Sequence, residues 1–300
     1  MRYSIYIMAA VLGLGGSVCA LSAHAYNLFP YGVNQASKWG NTTIGTPGGV
    51  VTWSLMPDST GLDASAPSYI HGASDLTSVF NQVGGQAAAV AMIQGAFNHW
   101  SAIANIQFQY IGADDGTAFS APYASGQHIG DIRFGGFNVD EFSAGNGFAP
   151  PPNGGTTLEG DVILNSRADI AYFVAPGSEG DAYNLYPPRG GLYRNDFEGL
   201  VAHEIGHALG LWHTPIPSDL MCGYVSAAFD GSQCDYADPN GTGQARINRI
   251  PDADDIAGIQ QLYGAAPVPV PGSWILLLSG MSFMIWRARL GQLKVSNFGA

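Results

Sequence analysis

Three histidines and a glutamate within eleven residues constrain this chain more than anything else in it. His203-Glu204-Ile205-Gly206-His207 continues to Gly210 and His213. On a helix, residues four apart lie on one face, so His203 and His207 present two imidazoles to one point. Glu204 stands beside them, within reach of a water at that point. Gly210 can take the left-handed backbone conformation that ends a helix. The chain can then turn back and carry His213 to a third ligand position. Three protein ligands with a fourth position left to water define the open, catalytic type of zinc site, whereas a structural site closes with four protein ligands. The helix carrying this pattern is expected from about Asp196 to Leu209.

The rest of the chain supplies a setting for that helix. Val50 to Met56 is β-branched and apolar and reads as a buried strand. From Gln86 to Ala104 the residues Ile93, Phe97, Trp100 and Ile103 recur at helical spacing. Ile106 to Tyr110 alternates as a half-buried strand does, and Asp131–Phe134 and Asp161–Leu164 are two more short strands. A last helix runs from near Asp252 to Tyr263, with Gly264 behind it. Forty-one glycines and eighteen prolines fill long loops between these elements. Residues 26–48 read as polar, Gly-rich and irregular. The order is strand, helix, three strands, helix, loop, helix. That describes one mixed α+β domain with no internal repeat.

These residues resemble the metzincin metallopeptidases, and within them the matrixins. Met221, in Ser218-Asp219-Leu220-Met221, matches the methionine turn that the family places beneath its metal. Thr214 follows the last histidine, where matrixins have serine or threonine. Asp254 to Gly264 resembles the last helix of matrixin catalytic domains, and the likeness runs in order from about Trp53 to Gly264. The resemblance implies a twisted mixed sheet with an active-site helix, a Met-turn and a C-terminal helix. It implies catalytic zinc on His203, His207 and His213, with Glu204 as general base and Met221 structural below the metal. It implies protein or peptide substrates.

The sequence also departs from the family. No cysteine lies between residue 25 and Cys222, so a cysteine-switch prodomain is not expected. The strand histidines that hold the family's structural zinc have no counterpart near Phe148-Ala149 or Val162 to Leu164, and His71, His99 and His128 read as ordinary histidines. Tyr224 comes three residues after Met221, out of register with the metal-binding tyrosine that some metzincins place two residues on, and reads as pocket lining. Asp114-Asp115-Gly116 and Asp235 to Gly241 are candidate calcium loops, though neither follows the EF-hand pattern. Two other readings stay open: a non-catalytic adhesive protein that keeps this fold, and a zinc hydrolase acting on something other than peptides. Loss of Glu204 or of a ligand would favour the first, and all four residues are present.

The two ends read as addresses. Arg2 precedes an apolar run from Ile5 to Leu21, and Ala23-His24-Ala25 supplies an A-x-A cleavage site, so residues 1–25 read as a removed secretory signal. A retained membrane anchor is the alternative. Cys19 leaves with this segment, and Cys222 and Cys234 remain as a candidate disulfide in an oxidising compartment. The domain is taken as residues 26–265. Residues 266–300 form a proline linker and a short hydrophobic segment, Trp274 to Trp286, followed by Arg287-Ala288-Arg289. Thirteen helical residues span about 20 Å, short of a bilayer core of about 30 Å. The layout resembles the PEP-CTERM sorting signal of exopolysaccharide-producing Gram-negative bacteria, with Val270 in place of its glutamate and a longer tail. It implies a sorting peptidase as partner, membrane contact through 272–289, and export to the cell surface, outer envelope or medium. A plain anchor is the alternative. All 23 acids fall between Asp58 and Asp255, and the seven bases of residues 26–265 leave that stretch a net −16. No nucleic-acid partner is expected of such a surface.

Overall fold

The computed structural model describes residues 26–140, 143–185, 193–223 and 244–268. The proposed signal segment, Tyr224, Cys234, the stretch Asp235 to Gly241 and the segment 272–289 lie outside the described residues. Three short strands, β1 (Asn27–Leu28), β2 (Pro30–Gly32) and β3 (Gln35–Ala36), lead into β4 (Gly49–Leu55). Next come β5 (Ile70–His71), α1 (Leu76–Asn81), α2 (Gln86–Ile103), β6 (Ile106–Ala113), β7 (Ile132–Val139), β8 (Gly145–Gly147) and β9 (Val162–Asn165). Then β10 (Ile170–Phe173), β11 (Ala182–Asn184) and β12 (Tyr193–Asp196) precede α3 (Phe197–Ala208). The chain continues through β13 (Leu211–Trp212), β14 (Gln244–Arg246) and α4 (Ala253–Tyr263).

The main sheet has the order β6-β4-β7-β9-β8. Its first four strands are parallel and β8 runs antiparallel at the outer edge. Such a mixed sheet with helices is the α+β metzincin architecture the sequence implies. Parallel strands are covered on their faces, which accounts for the apolar run in β4. Val51, Trp53 and Leu55 are all buried there. Helix α2 lays Ile93, Ala96, Phe97 and Trp100 against this layer, a spacing of three and four that keeps one face inward. The Trp53 ring lies 5.3 Å from Phe97 and 5.8 Å from Phe134. Each such side chain contributes roughly 1.5–3 kcal/mol by leaving water. Trp100 also donates its indole N–H to the Ala202 carbonyl at 3.1 Å and fastens α2 to α3.

Strand β7 runs further than Asp131–Phe134, through Gly135 and Gly136. A Cβ at Gly136 would stand 2.8 Å from the Asp75 backbone, so the missing side chain lets the start of α1 pack on the strand.

Residues 26–48 are more ordered than their composition suggests. They form a strap across the end of α3, where a helix leaves carbonyls without partners. The Trp39 indole N–H donates to Ala208 O at 2.8 Å, and the Phe29 N–H donates to Gly210 O at 3.1 Å. Tyr263 of α4 donates its hydroxyl to Leu209 O at 2.7 Å and accepts the Trp39 N–H at 3.1 Å. Lys38 is buried beneath this junction, with its ammonium on Trp39 O, Asn41 O and the Tyr263 ring.

The Asp114-Asp115 loop directs its carboxylates to the protein's own donors. Asp114 takes the Arg133 guanidinium at 2.7 Å in a wholly buried pair and the Gly116 N–H at 2.9 Å. Asp115 takes the N–H groups of Thr117 and His128. Beyond Gly264, Ala265 still bridges to Ala104 and the Ala266 N–H donates to Ile103 O. No described helix is long and apolar enough to cross a membrane.

Candidate metal centre

Helix α3 begins where Asp196 caps it by accepting the Gly199 N–H at 3.2 Å. Arg249 holds that cap with two hydrogen bonds, at 2.7 and 2.8 Å. Every residue from Gly199 to Ala208 is buried, because the sheet, α2 and the segment around Met221 enclose the helix. His203 and His207 share one face, with ring centroids 4.8 Å apart.

Each ring is oriented from behind. His203 Nδ1 lies 2.6 Å from Leu220 O and His207 Nδ1 lies 2.9 Å from Leu211 O. A carbonyl only accepts, so both Nδ1 atoms carry the proton and both Nε2 lone pairs face outward. Burial first, and the neighbouring His213 next, lower the pKa of His203 to about 3 and push His207 the same way. Both rings are therefore held neutral, the form that ligates a metal.

The helix stops as the motif requires. Gly210 has φ +105°, and a Cβ there would stand 2.4 Å from Ser37 O. The chain reverses into β13, which pairs with β1, and the Asn27 side chain donates to His213 O at 2.9 Å. His213 Nε2 then lies 3.0 Å from His207 Nε2, and the ligand atoms of all three histidines fall within 4.8 Å of one another. Nitrogens bound to one tetrahedral zinc stand about 3.4 Å apart, so this donor set fits that ion.

Glu204 is buried beside the histidines and accepts the Gly147 N–H at 2.6 Å. Burial pushes its carboxyl up to about 8. Strand β8 can come this close only because Gly145 and Gly147 lack side chains. A Cβ at Gly147 would meet Glu204 O at 2.2 Å, and one at Gly145 would meet the Glu204 side chain at 2.9 Å. Met221 is buried with its sulfur under α3. Its turn is tied down by Asp255, which accepts the N–H groups of Leu220 at 2.9 Å and Met221 at 3.2 Å.

The matrixin sequence profile matches residues 76–264. The chain belongs to the matrixin family. Similar matrixins include stromelysin-2 of Rattus norvegicus, 33% identical over 39% of this chain and 28% of that protein. Matrilysin of the same organism is 35% identical over 31% of this chain and 30% of its own. A probable matrix metalloproteinase of invertebrate iridescent virus 3 is 24% identical over 61% and 39%. This matrixin thus spans well under half the length of the curated relatives it matches.

Of the residues singled out from sequence, the fold brings together His203, Glu204, His207, His213 and Met221. It sets the other described histidines apart: His71 pairs with Asp140, His99 touches Arg249 O, and His128 sits on an exposed loop. Cys222 is buried and disulfide-bonded; Cys234 lies outside the described residues. Sequence reasoning missed Gly145, Gly147 and the anchoring role of Asp255. The signal for the first two is two glycines around Asn146, which carries no hydrophobic pattern.

Proposed function

We propose that this matrixin is an exported zinc-dependent metalloendopeptidase with Glu204 as general base and His203, His207 and His213 as metal ligands. The observation that carries the reading is the convergence of three imidazoles, two of them held neutral by burial, beside one buried carboxyl at the rim of the sheet. When bound, zinc supplies the Lewis acidity that makes water nucleophilic near neutral pH. Glu204 takes the proton from the attacking water and returns it to the leaving amine. A dication beside Glu204 favours its carboxylate form, and the Gly147 N–H holds one of its oxygens in place. Met221 shapes the floor without meeting substrate. Strand β8 is the outermost strand of the sheet and lies against Glu204. An extended peptide can add to such an edge as a further strand.

Export rests on residues 1–25 as a cleaved signal. We assign 26–265 to the catalytic domain and 266–300 to a sorting segment, cut by a sorting peptidase after membrane contact through 272–289. The location that follows is the envelope or surroundings of a Gram-negative bacterium.

The test is zymography with elemental analysis. Wild type should digest protein substrates and stop on chelation. His203→Ala and His207→Ala should lose zinc. Glu204→Gln should keep zinc and lose about two to four orders of magnitude in turnover. Full zinc in both histidine variants, or near wild-type proteolysis by Glu204→Gln, counts against the assignment.

A further inference from the structure

A second group of metal-ligating side chains lies below the Met-turn, apart from the histidines. One carboxylate oxygen from each of Asp219, Asp252 and Asp255 lies within 4.8 Å of the others. Asp219 and Asp255 are 1% and 0% exposed. Two members already accept backbone N–H groups. Asp252 caps α4 by accepting the N–H groups of Asp254 and Asp255. Asp255 accepts three, from Leu220, Met221 and Asp252. Both also sit at the positive end of the helix.

Asp219 differs. Its Oδ2 accepts the Thr214 hydroxyl at 2.8 Å. Its Oδ1 is buried and receives no hydrogen bond. It faces the Asp252 carboxyl, and burial together with that neighbour pushes Asp219 up to about 8, so the two carboxyls meet around a shared proton or a cation. Among the described residues no Lys, Arg or His pairs with any of the three. Buried carboxylates persist when a cation or a donor compensates them, and among the described residues no N–H or hydroxyl stands between Asp219 and Asp252.

We infer that Asp219, Asp252 and Asp255 form a site for a hard divalent cation of the calcium type, which ties the Met-turn segment to the start of α4. An all-oxygen set of carboxylates suits calcium, with water completing the shell, whereas magnesium demands a tighter octahedron. The site bears on the metal centre through the backbone. Leu220 and Met221 hang from Asp255, and Leu220 O orients His203. Thr214, held by Asp219, follows the third histidine directly. The ion would thus hold the floor of the zinc site without touching zinc or substrate.

The experiment is thermal unfolding of the zinc-saturated, exported protein, titrated with calcium chloride and, separately, magnesium chloride. Glu204→Gln serves as the background to prevent self-digestion. Calcium should raise the midpoint and magnesium should do so far less. Asp219→Asn should weaken the apparent calcium affinity by about tenfold or more, and Asp252→Asn should do the same while keeping an N-cap acceptor. No effect of calcium overturns the proposal. So does an equal effect in both asparagine variants, which places the ion elsewhere. Equal stabilisation of the calcium-free protein by Asp219→Asn and by acid, with calcium inert, would mean that the carboxyls share a proton instead. Should neither variant fold, a crystal soaked in terbium reads the site with the cluster intact. An anomalous peak between Asp219 and Asp252 is expected, and peaks only at other positions overturn the proposal.

Discussion

The sulfur of Met221 occupies the space that a side chain on Gly206 would need: a Cβ built there stands 2.3 Å from Sδ and 3.2 Å from the Trp100 ring. Gly206 lies between His203 and His207, so the methionine supports the face that carries them. Gly206→Ala gains about 0.5–1 kcal/mol of helix propensity. Forcing a methyl into this contact costs about 1–3 kcal/mol. The net should be a loss of roughly 1 kcal/mol in stability and weaker zinc retention during dialysis against chelator. A variant more stable than wild type with unchanged zinc retention would contradict this packing.

The Tyr263 hydroxyl links the strap to the end of the active-site helix by serving both the Trp39 N–H and Leu209 O. Tyr263→Phe keeps the ring and leaves two buried backbone groups without that partner. The expected cost is about 1–3 kcal/mol, seen as a drop of about 2–4 °C per kcal/mol in the unfolding midpoint. A midpoint within error of wild type would show that other groups take over these bonds.

Burial lowers Lys38 from its ordinary value to about 8. Above that pH and below the ordinary lysine range, the unfolded chain holds a proton that the folded chain has released. Stability therefore rises with pH across this window. Lys38→Met removes the titration. The difference in unfolding free energy, wild type minus variant, should increase from about pH 8 to about pH 10. A flat or falling difference would mean that the ammonium stays fully charged in the folded state.

Cys222 sits directly after Met221, so its disulfide holds the far side of the Met-turn. The partner we propose is Cys234. A loop of about a dozen residues closed this way gains roughly 3 kcal/mol from chain entropy. Peptide mapping without reduction should find the two cysteines in one linked species. Both thiols alkylated in the unreduced protein would exclude it.

Shortening the chain tests the domain boundary. Ala266 makes the last described backbone hydrogen bond to α2, so a chain ended after Val268 should keep its fold, its zinc and its unfolding midpoint within about 2 °C. A larger loss would place the hydrophobic segment inside the domain.

The three histidines proposed as metal ligands were legible because their geometry is local. Helical spacing fixes His203 and His207, and one glycine permits the return to His213. The helices Gln86–Ile103 and Ala253–Tyr263 and strand Gly49–Leu55 were legible because burial writes itself into apolar periodicity. Strand Gly145–Gly147 was not, because its place is set by contact with Glu204 and not by any apolar pattern. Asp255 could be read as part of a helix start, as its capping box shows. Its hold on Leu220 and Met221, 35 and 34 residues away, exists only in the folded chain. Residues 26–48 looked irregular because their order comes from hydrogen bonds to other elements, with little apolar alternation of their own.

The strap gives this fold a sense of timing. Trp39 meets Tyr263 across 224 positions of sequence, and the same tyrosine secures the carbonyl just before the Gly210 turn. Contacts of such span form late, since long loops must close before they repay their ordering. A chain synthesised only as far as His213 already holds all three histidines, yet it lacks the helix that ties down the last turn of α3. The final placing of the three rings thus waits until helix α4 has been made, and a chain cut short of it holds them loosely.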